Sequence, residues 1–470
     1  MRRTCVLPVL LILLAASTVH AQAAHWYTLA VDGIRTGFVR AERKTEADTI
    51  VESETVTLFV RELGRTARLQ RNIVFRHDNA GNPLSFDYEL NSGTAREAWQ
   101  GTFDQGSLHI HSSATHAGNI TLQLPVETAF TPDASERLEA LWKNRRTSLD
   151  VVAFDPQRRS AGLLHARVVA DDETGRHVRV TASGGGDVSG EDLWFDALGN
   201  LLRAEEPLFG ALVTWTPCVS DCDSDVEAPL DFMSRLVVRS PVHIPDWFRH
   251  RTLRFVLVRT DGAPASVAPT DEQAVAFDAH HAAVLTICAH CGAAEHPTED
   301  ELARYLAPNA WVQSDNPEIR ALARNTVSPT LPVDVRMRKL ARLVKQRMHG
   351  SNDFLGYGDA VGALHSGSGD CTEFSVLLAA FARSQRIPTR IAVGLAYSDR
   401  FSGKKDVFSP HVWVQSWDGR HWTSYDAGLD GFDSTHIALA VGSGEPDEVN
   451  RTTAQLASLR IEKAGVVRER

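Results

Sequence analysis

A change of hydrophobic period part-way along the chain restricts its fold more than any other feature of the sequence. From Trp26 to about Cys222 apolar and polar residues alternate between recurrent turn dipeptides, whereas from Thr298 onward apolar residues repeat at helical spacing. Such a chain is expected to be α+β, with antiparallel β-rich domains preceding a mixed C-terminal domain. In the first stretch Trp26–Ala30 and Ile34–Arg40 flank Asp32-Gly33, a hairpin signal because both turn residues tolerate positive φ. Asp78-Asn79-Ala80-Gly81 and Gly199-Asn200 are further turns, and Val178–Thr181, Leu193–Phe195 and Leu201–Ala204 are expected strands. One helix is expected here, Leu138–Trp142, with Asp133 and Ser135 as candidate caps. The triplet Gly184-Gly185-Gly186 is a flexible loop, because the strand and helix that a phosphate cradle needs do not flank it.

A second β-rich stretch follows the acidic linker Asp221–Glu227, with Leu253, Phe255 and Leu257 alternating against charged neighbours. Three helices come next. Thr298 can cap one through Leu302, Tyr305 and Leu306; Asn316-Pro317 can open one through Ile319, Leu322 and Ala323; Asp334 can cap one through Met337, Leu340 and Val344. The expected organisation is therefore a β-rich domain over 24–222, a second over 228–297, a mixed domain over 298–450 and a tail over 451–470.

Arg2 and Arg3 before the apolar run Val6–Ala16 and the small residues that follow are the pattern of a signal peptide over 1–21, cleaved after Ala21 or Ala23. A secreted or periplasmic protein is expected, without a transmembrane helix in the mature chain, since no other run approaches about 18 apolar residues. Of six cysteines, Cys5 leaves with that leader and five remain, an odd number. Cys218, Cys222, Cys288 and Cys291 can pair within or between their two close groups, leaving Cys371 as a free thiol. A four-thiolate zinc site is the other reading of those spacings, and an oxidising compartment favours disulfides over it. With 49 basic against 59 acidic residues and a net charge of -10, no nucleic-acid partner is expected. No cofactor is expected either.

The chemistry concentrates in Gly367-Ser368-Gly369-Asp370-Cys371-Thr372-Glu373-Phe374. Glycines allow a tight turn before Cys371, and Phe374, Leu377, Leu378 and Phe381 then recur at helical spacing, so Cys371 is expected in the first turn of a buried helix. The N–H groups and partial charge at that end favour a thiolate and place a backbone donor where an oxyanion forms. A small buried core residue is the plainer reading of a lone cysteine. Downstream, Thr389–Tyr397 and His411–Trp417 read as strands, with His411, Trp413, Gln415 and Trp417 on one face and Val412, Val414 and Ser416 on the other. Asp418-Gly419 is a turn signal. A two-residue turn sets Trp417 opposite Arg420 and His411 opposite Asp426, with Cβ atoms about 4.5 to 5.5 Å apart. A four-residue loop keeps the pair on one face, displaced diagonally, and a three-residue loop separates them. A histidine beside the thiol can take its proton and return it to a leaving amine, and Asp426 can hold the ring in the useful tautomer.

Gly369-Asp370-Cys371-Thr372-Glu373, Arg386-Ile387-Pro388-Thr389-Arg390, His411-Val412-Trp413-Val414, Asp426 and Thr435-His436-Ile437 together resemble the bacterial transglutaminase-like superfamily over residues 300 to 445. That resemblance implies a papain-related α+β domain with a Cys-His-Asp triad at Cys371, His411 and Asp426. Two departures are Ala427-Gly428 after Asp426, where many relatives carry Pro-Thr, and Ser409-Pro410 before His411, where an aromatic residue is frequent. His365 and Tyr357 are candidate second oxyanion donors. The activity implied is acyl transfer through a thioester on a peptide or protein amide of the cell envelope, with hydrolysis expected over crosslinking of glutamine to amines. The rival from another class is an envelope-binding protein whose triad is vestigial.

Overall fold

The computed structural model describes residues 24–467 except 47, 63–64, 92–95, 105, 113–119, 126–127, 131–137, 139–140, 142–145, 158, 174, 184–189, 209–210, 219–221, 223–225, 232, 351–357, 445–451 and 453–454. The chain divides into two compact units, Leu7–Asp231 and Phe232–Arg470. The expected leader, Gly184–Gly186 and the caps Asp133 and Ser135 lie outside the described residues. Of the helix expected at Leu138–Trp142, Leu138 and Leu141 are described, both helical and buried.

In the first unit fourteen antiparallel strands, from His25–Val31 to Ala211–Cys218, form one sheet. Successive strands pair as meanders, broken only between Ile120–Gln123 and Ser148–Asp155, which are the two edges. The first and last strands join the halves, with Trp26 opposite Cys218 and Val31 opposite Val213. Phe86 and Phe154 stand on the fourth and fourteenth strands in that order. A flat sheet would hold them roughly 48 Å apart at about 4.8 Å per strand. Their ring centroids are 5.2 Å apart, so the sheet coils on itself around Phe75, Phe86, Phe130 and Phe154. The expected hairpin forms at Asp32-Gly33, where φ is 48° and 82°. At the next turn, Asp78 Oδ1 accepts from the Ala80 and Asn82 amides.

The second unit carries a five-stranded sheet, a four-stranded sheet, a short parallel pair of His349–Gly350 with Ser368–Gly369, and a layer of helices. Val238–Arg239, Lys404–Trp417, Thr389–Phe401 and Ile437–Gly442 pair in that order, and Trp422–Tyr425 pairs with Lys404–Trp417. The helices Pro317–Thr326, Val333–Arg347 and Cys371–Ser384 press Ile319, Ala323, Met337, Leu340, Val344, Leu377, Leu378 and Phe381 against Val412 and Val414 of that sheet. Helical spacing in the sequence thus becomes a single shared core. Thr298 and Glu301 make a reciprocal capping box, and the Asn316 side chain accepts from the Glu318 and Ile319 amides, both as the sequence predicts. Asp334 is not a cap: the helix begins at Val333 and Asp334 sits in its first turn, bonded to Arg338.

One sheet takes strands from both sides of the boundary expected at 297/298 and from the expected tail. Gln273–Phe277, Ala283–Ile287, Leu253–Arg259 and Leu459–Val466 form one four-stranded sheet inside the second unit. The supposed tail supplies its edge, with Leu253 opposite Val466 and Arg259 opposite Leu459. Strand periodicity is legible locally, but the partner of Leu253–Arg259 lies about two hundred residues away and leaves no mark on that segment. Among the described residues no helix is long and apolar enough to cross a membrane.

Candidate active site

Cys371 opens the helix Cys371–Ser384, as its sequence predicts, and the residues around it explain why a helix starts there. Asp370 Oδ1 accepts from the Thr372 amide at 2.7 Å, while Glu373 Oε2 accepts from the Asp370 amide at 2.8 Å. This reciprocal box satisfies first-turn donors that the helix itself leaves open. Glu373 Oε1 also takes the Gly358 amide at 2.5 Å, so one carboxyl group holds the preceding loop against the helix start. Gly369 is needed for this approach: a Cβ there would lie 2.4 Å from the Cβ of Glu373. One turn on, Ser375 Oγ lies 2.7 Å from the Cys371 carbonyl and 2.9 Å from that of Val412, tying the helix to the strand that bears His411.

The Cys371 thiol is accordingly placed beside that strand. The backbone of Val412, one residue beyond His411, lies close enough to the sulfur to favour its ionised form. On another side, a Cβ at Gly428 would be 3.7 Å from the Cys371 Cα, so the segment after Asp426 also runs past it. Cys371 is the free cysteine among the described residues and keeps some exposed surface. Burial of the thiol nevertheless raises its pKa well above the ordinary range, Asp370 adds to the rise, the Val412 backbone opposes it, and Glu373 and Asp426 add again. Burial and the neighbouring carboxylates thus oppose the lowering that the helix N-terminus favours.

The hairpin is shifted from the simplest register. Trp417 stands opposite Trp422 and Val414 opposite Tyr425, so the loop has four residues instead of two. Asp418 causes this: its Oδ1 accepts from the Arg420 and His421 amides at 2.7 and 2.8 Å, closing a wider turn around Gly419 at φ 102°. A shift of two preserves the face. His411 Nε2 reaches Asp426 Oδ2 at 2.6 Å, with both residues buried.

Asp426 is saturated. Its Oδ1 accepts from the Gly428 and Leu429 amides at 2.7 and 3.1 Å, and its Oδ2 faces His411 Nε2 and also His436 Nε2 at 3.1 Å. Burial pushes its carboxyl up, but His411 and then His436 outweigh burial and hold it well below the usual carboxylate range. Sequence reading recorded His436 only within Thr435-His436-Ile437 and assigned it no role. The three ligand atoms of His411, Asp426 and His436 lie within 4.8 Å of one another. Both imidazoles aim at a single oxygen at hydrogen-bond distance, so the set is a hydrogen-bonded chain and we assign it no metal.

A second feature missed by sequence is a clamp formed by Asp271, Glu272 and Gln273. Asp271 Oδ2 accepts from the Trp422 amide at 2.7 Å, and Glu272 Oε1 from the Ser424 amide at 3.0 Å. Gln273 gives and takes hydrogen bonds with both backbone groups of Ala438. Side chains thus do for Trp422–Tyr425 what a neighbouring strand would do. Burial pushes Glu272 up to about 7, despite the opposing hydrogen bonds from Ser424 and Gln415 and the nearby His436. A raised carboxyl favours the fold while protonated, and this contribution fades as pH rises from the unfolded value of 4.5 through the folded one. Glu272→Gln should therefore gain stability relative to the parent by up to about 3 kcal/mol between pH 5 and pH 8, read from thermal melts at each pH. Parallel pH curves for the two proteins would refute this assignment.

His365 and Tyr357 do not strengthen the site. His365 Nε2 is engaged with Glu318 at 2.8 Å on half-exposed side chains, which commits that donor elsewhere, and Tyr357 lies outside the described residues. The four remaining cysteines pair locally, Cys218 with Cys222 and Cys288 with Cys291. The zinc alternative is thereby displaced.

A cysteine at the head of a buried helix, packed against a strand that pairs its histidine with an aspartate on the next turn of the hairpin, defines an α+β domain of transglutaminase-like architecture. Residues 320–427 match the family model of the transglutaminase-like superfamily, and the C-terminal unit carries a domain of that superfamily. No curated protein matches the chain. Among solved structures, a beta-barrel-like protein of a domain of unknown function from Brucella abortus is 12% identical, covering 42% of this chain and 97% of that one at a TM-score of 0.34. A proposed cysteine protease from Cytophaga hutchinsonii is 14% identical over 49% of this chain and 81% of its own, with a TM-score of 0.29. The periplasmic domain of TgpA from Pseudomonas aeruginosa, bound to ethylmercury, is 15% identical over 41% and 88%, with a TM-score of 0.26.

Proposed function

We propose that the C-terminal unit is a cysteine-dependent acyl-transfer enzyme acting on peptide or protein amide bonds, with Cys371 as nucleophile, His411 as base and Asp426 as the group that orients it. The observation that carries this reading is the 2.6 Å contact between His411 Nε2 and Asp426 Oδ2, beside a free thiol whose helix is tied to the strand bearing His411 through Ser375 and the Val412 carbonyl. Because Nε2 is held by the carboxylate, Nδ1 is the nitrogen left to exchange protons with the thiol. Burial raises the thiol pKa, so the reaction starts as general-base catalysis with the sulfur turned to Nδ1. Sulfur attacks the amide carbon as its proton passes to Nδ1, and the Cys371 amide, in the first turn of its helix, can donate to the developing oxyanion. The C–N bond then breaks and the amine leaves with that proton. Water attacks the thioester, gives a proton to His411, and the C–S bond breaks to release a carboxylic acid and the thiol.

Hydrolysis is favoured over transfer to an amine because water is always available as the acceptor. An envelope location belongs to the same proposal, since two disulfides persist best in an oxidising compartment. Mass spectrometry of the mature protein after incubation with envelope peptides, with and without added amines, tests both parts. The expected result is an acyl group on Cys371 together with a carboxylic acid product in either condition. An amide product formed only with amine would make the enzyme a crosslinking one. Absence of any acyl adduct, with Cys371 alkylating like an ordinary free cysteine, would reject the enzyme reading.

A further inference from the structure

Resting on the triad reading above, we propose that His436 is a positioning residue: a permanently cationic imidazole that shares Asp426 with His411 and sets the pH at which the Cys371–His411 pair becomes active. The role belongs to neither the nucleophile nor the base. It acts through the carboxylate between them.

Geometry makes His436 a cation. Its side chain is 1% exposed, so each ring nitrogen must find a partner inside the protein. Nε2 meets Asp426 Oδ2 at 3.1 Å, which requires a proton there, because the carboxylate can only accept. Nδ1 lies 3.1 Å from the Asp433 carbonyl and 3.2 Å from its Oδ1, two acceptors, and 3.3 Å from the Asp433 amide, which points its N–H at the ring. A lone pair at Nδ1 would take that one amide and face two oxygens at closer range, whereas a second proton satisfies the oxygens. Asp433 Oδ1 is itself fixed by the Thr435 amide at 2.8 Å and the Thr435 hydroxyl at 2.5 Å. Phe432 and Trp413 flank the ring with centroids 5.0 and 5.2 Å away, and His411 stands at 5.5 Å. The charged or titratable groups facing it are therefore Asp426, Asp433, His411 and, through its field, Glu272. Burial alone would lower the imidazole pKa, but hydrogen bonds to Asp426 and Asp433 raise it to about 9.

A fixed cation on Asp426 has a definite consequence for the pair. It offsets the carboxylate charge that would otherwise stabilise an imidazolium at His411 and repel a thiolate at Cys371. Removing it leaves the full Asp426 charge acting on Cys371, which makes the thiol harder to ionise. That moves the acidic limb of activity to higher pH. His436→Gln keeps an N–H for Asp426 and removes only the charge, so it separates charge from hydrogen bonding.

Two measurements test this. In the parent protein, labelled with 15N in its histidine rings and assigned by the signal lost in His436→Gln, both His436 nitrogens should remain protonated from pH 5 to pH 8. The rate of Cys371 alkylation by iodoacetamide against pH should show its midpoint raised by about one unit in His436→Gln. A His436 ring that titrates near 6.5 or is neutral at pH 7 overturns the proposal, and so does a variant whose alkylation profile superimposes on the parent's. The ring measurement needs neither a substrate nor a folded variant beyond assignment. If Cys371 of the parent alkylates like a free thiol while His436 stays protonated, the enzyme reading fails and the charge assignment stands; a neutral His436 beside a reactive Cys371 does the reverse.

Discussion

Asp426→Asn should lower turnover by roughly 10⁴-fold, the loss seen when the same change is made in a serine-protease triad, while leaving the domain folded. The parent carboxylate accepts four hydrogen bonds: two backbone amides at Oδ1 and two imidazoles at Oδ2. An asparagine must turn its NH2 toward one of these pairs. Backbone amides cannot change into acceptors, but imidazoles can, so the NH2 faces His411 and His436. His411 then carries its proton on Nδ1, the nitrogen that should receive the thiol proton, and the base is silenced without being removed. Shape and volume are kept, and His436 must give up its charge to accept from the NH2, so the variant should fold with a lowered melting temperature and be inactive well below it. The rate of acyl-thioester formation on Cys371, followed by mass spectrometry beside a thermal melt, checks this. A variant within tenfold of the parent would falsify the orienting role of Asp426.

The same residues show what the sequence can and cannot disclose. The helix start at Cys371 is legible because its signals are local: glycines before it and an apolar face immediately after, to which the structure adds the Asp370–Glu373 capping box. The shared face of His411 and Asp426 was legible for a weaker reason. A turn signal at Asp418-Gly419 does not distinguish two residues from four, and the prediction survived because both lengths preserve side-chain parity. The thiol pKa was misread because helix position is visible in sequence, whereas the fields of Asp370, Glu373 and Asp426 and the burial around sulfur depend on packing. Asp271-Glu272-Gln273 carries no local signal at all: a short polar run resembles a solvated loop until its three side chains are found on Trp422, Ser424 and Ala438. His436 could have been noticed from Thr435-His436-Ile437, but only its distance to Asp426 gives it a task.

Arg383→Leu should destabilise the C-terminal unit by about 2–6 kcal/mol, because it takes the donor away from buried backbone carbonyls. Arg383 lies near the end of the helix that begins at Cys371 and is 3% exposed. Its Nε donates to the Thr389 carbonyl at 2.9 Å, Nη1 to that of Ala307 at 3.0 Å and Nη2 to that of Ser443 at 2.9 Å. Three separate segments are therefore joined through one planar group, which lysine cannot imitate because its charge is a single point. Leucine fills part of the volume but leaves the Thr389 and Ala307 carbonyls without this donor, at about 1–3 kcal/mol for each one left unsatisfied, while the Ser443 carbonyl keeps the Asn309 side-chain amide at 3.0 Å. Domains are stable by only about 5–15 kcal/mol, so the loss should appear as a large fall in the melting temperature, with Arg383→Lys in between. Thr389 begins the strand in which Gly394 stands opposite His411, so the same group connects the far end of the Cys371 helix to the sheet that carries the base. Activity should then disappear along the melting curve, in contrast to Asp426→Asn, where it disappears from a folded protein. A melting temperature unchanged in Arg383→Leu would mean that water or another donor replaces all three contacts, and that this arginine does not hold the two halves of the site together.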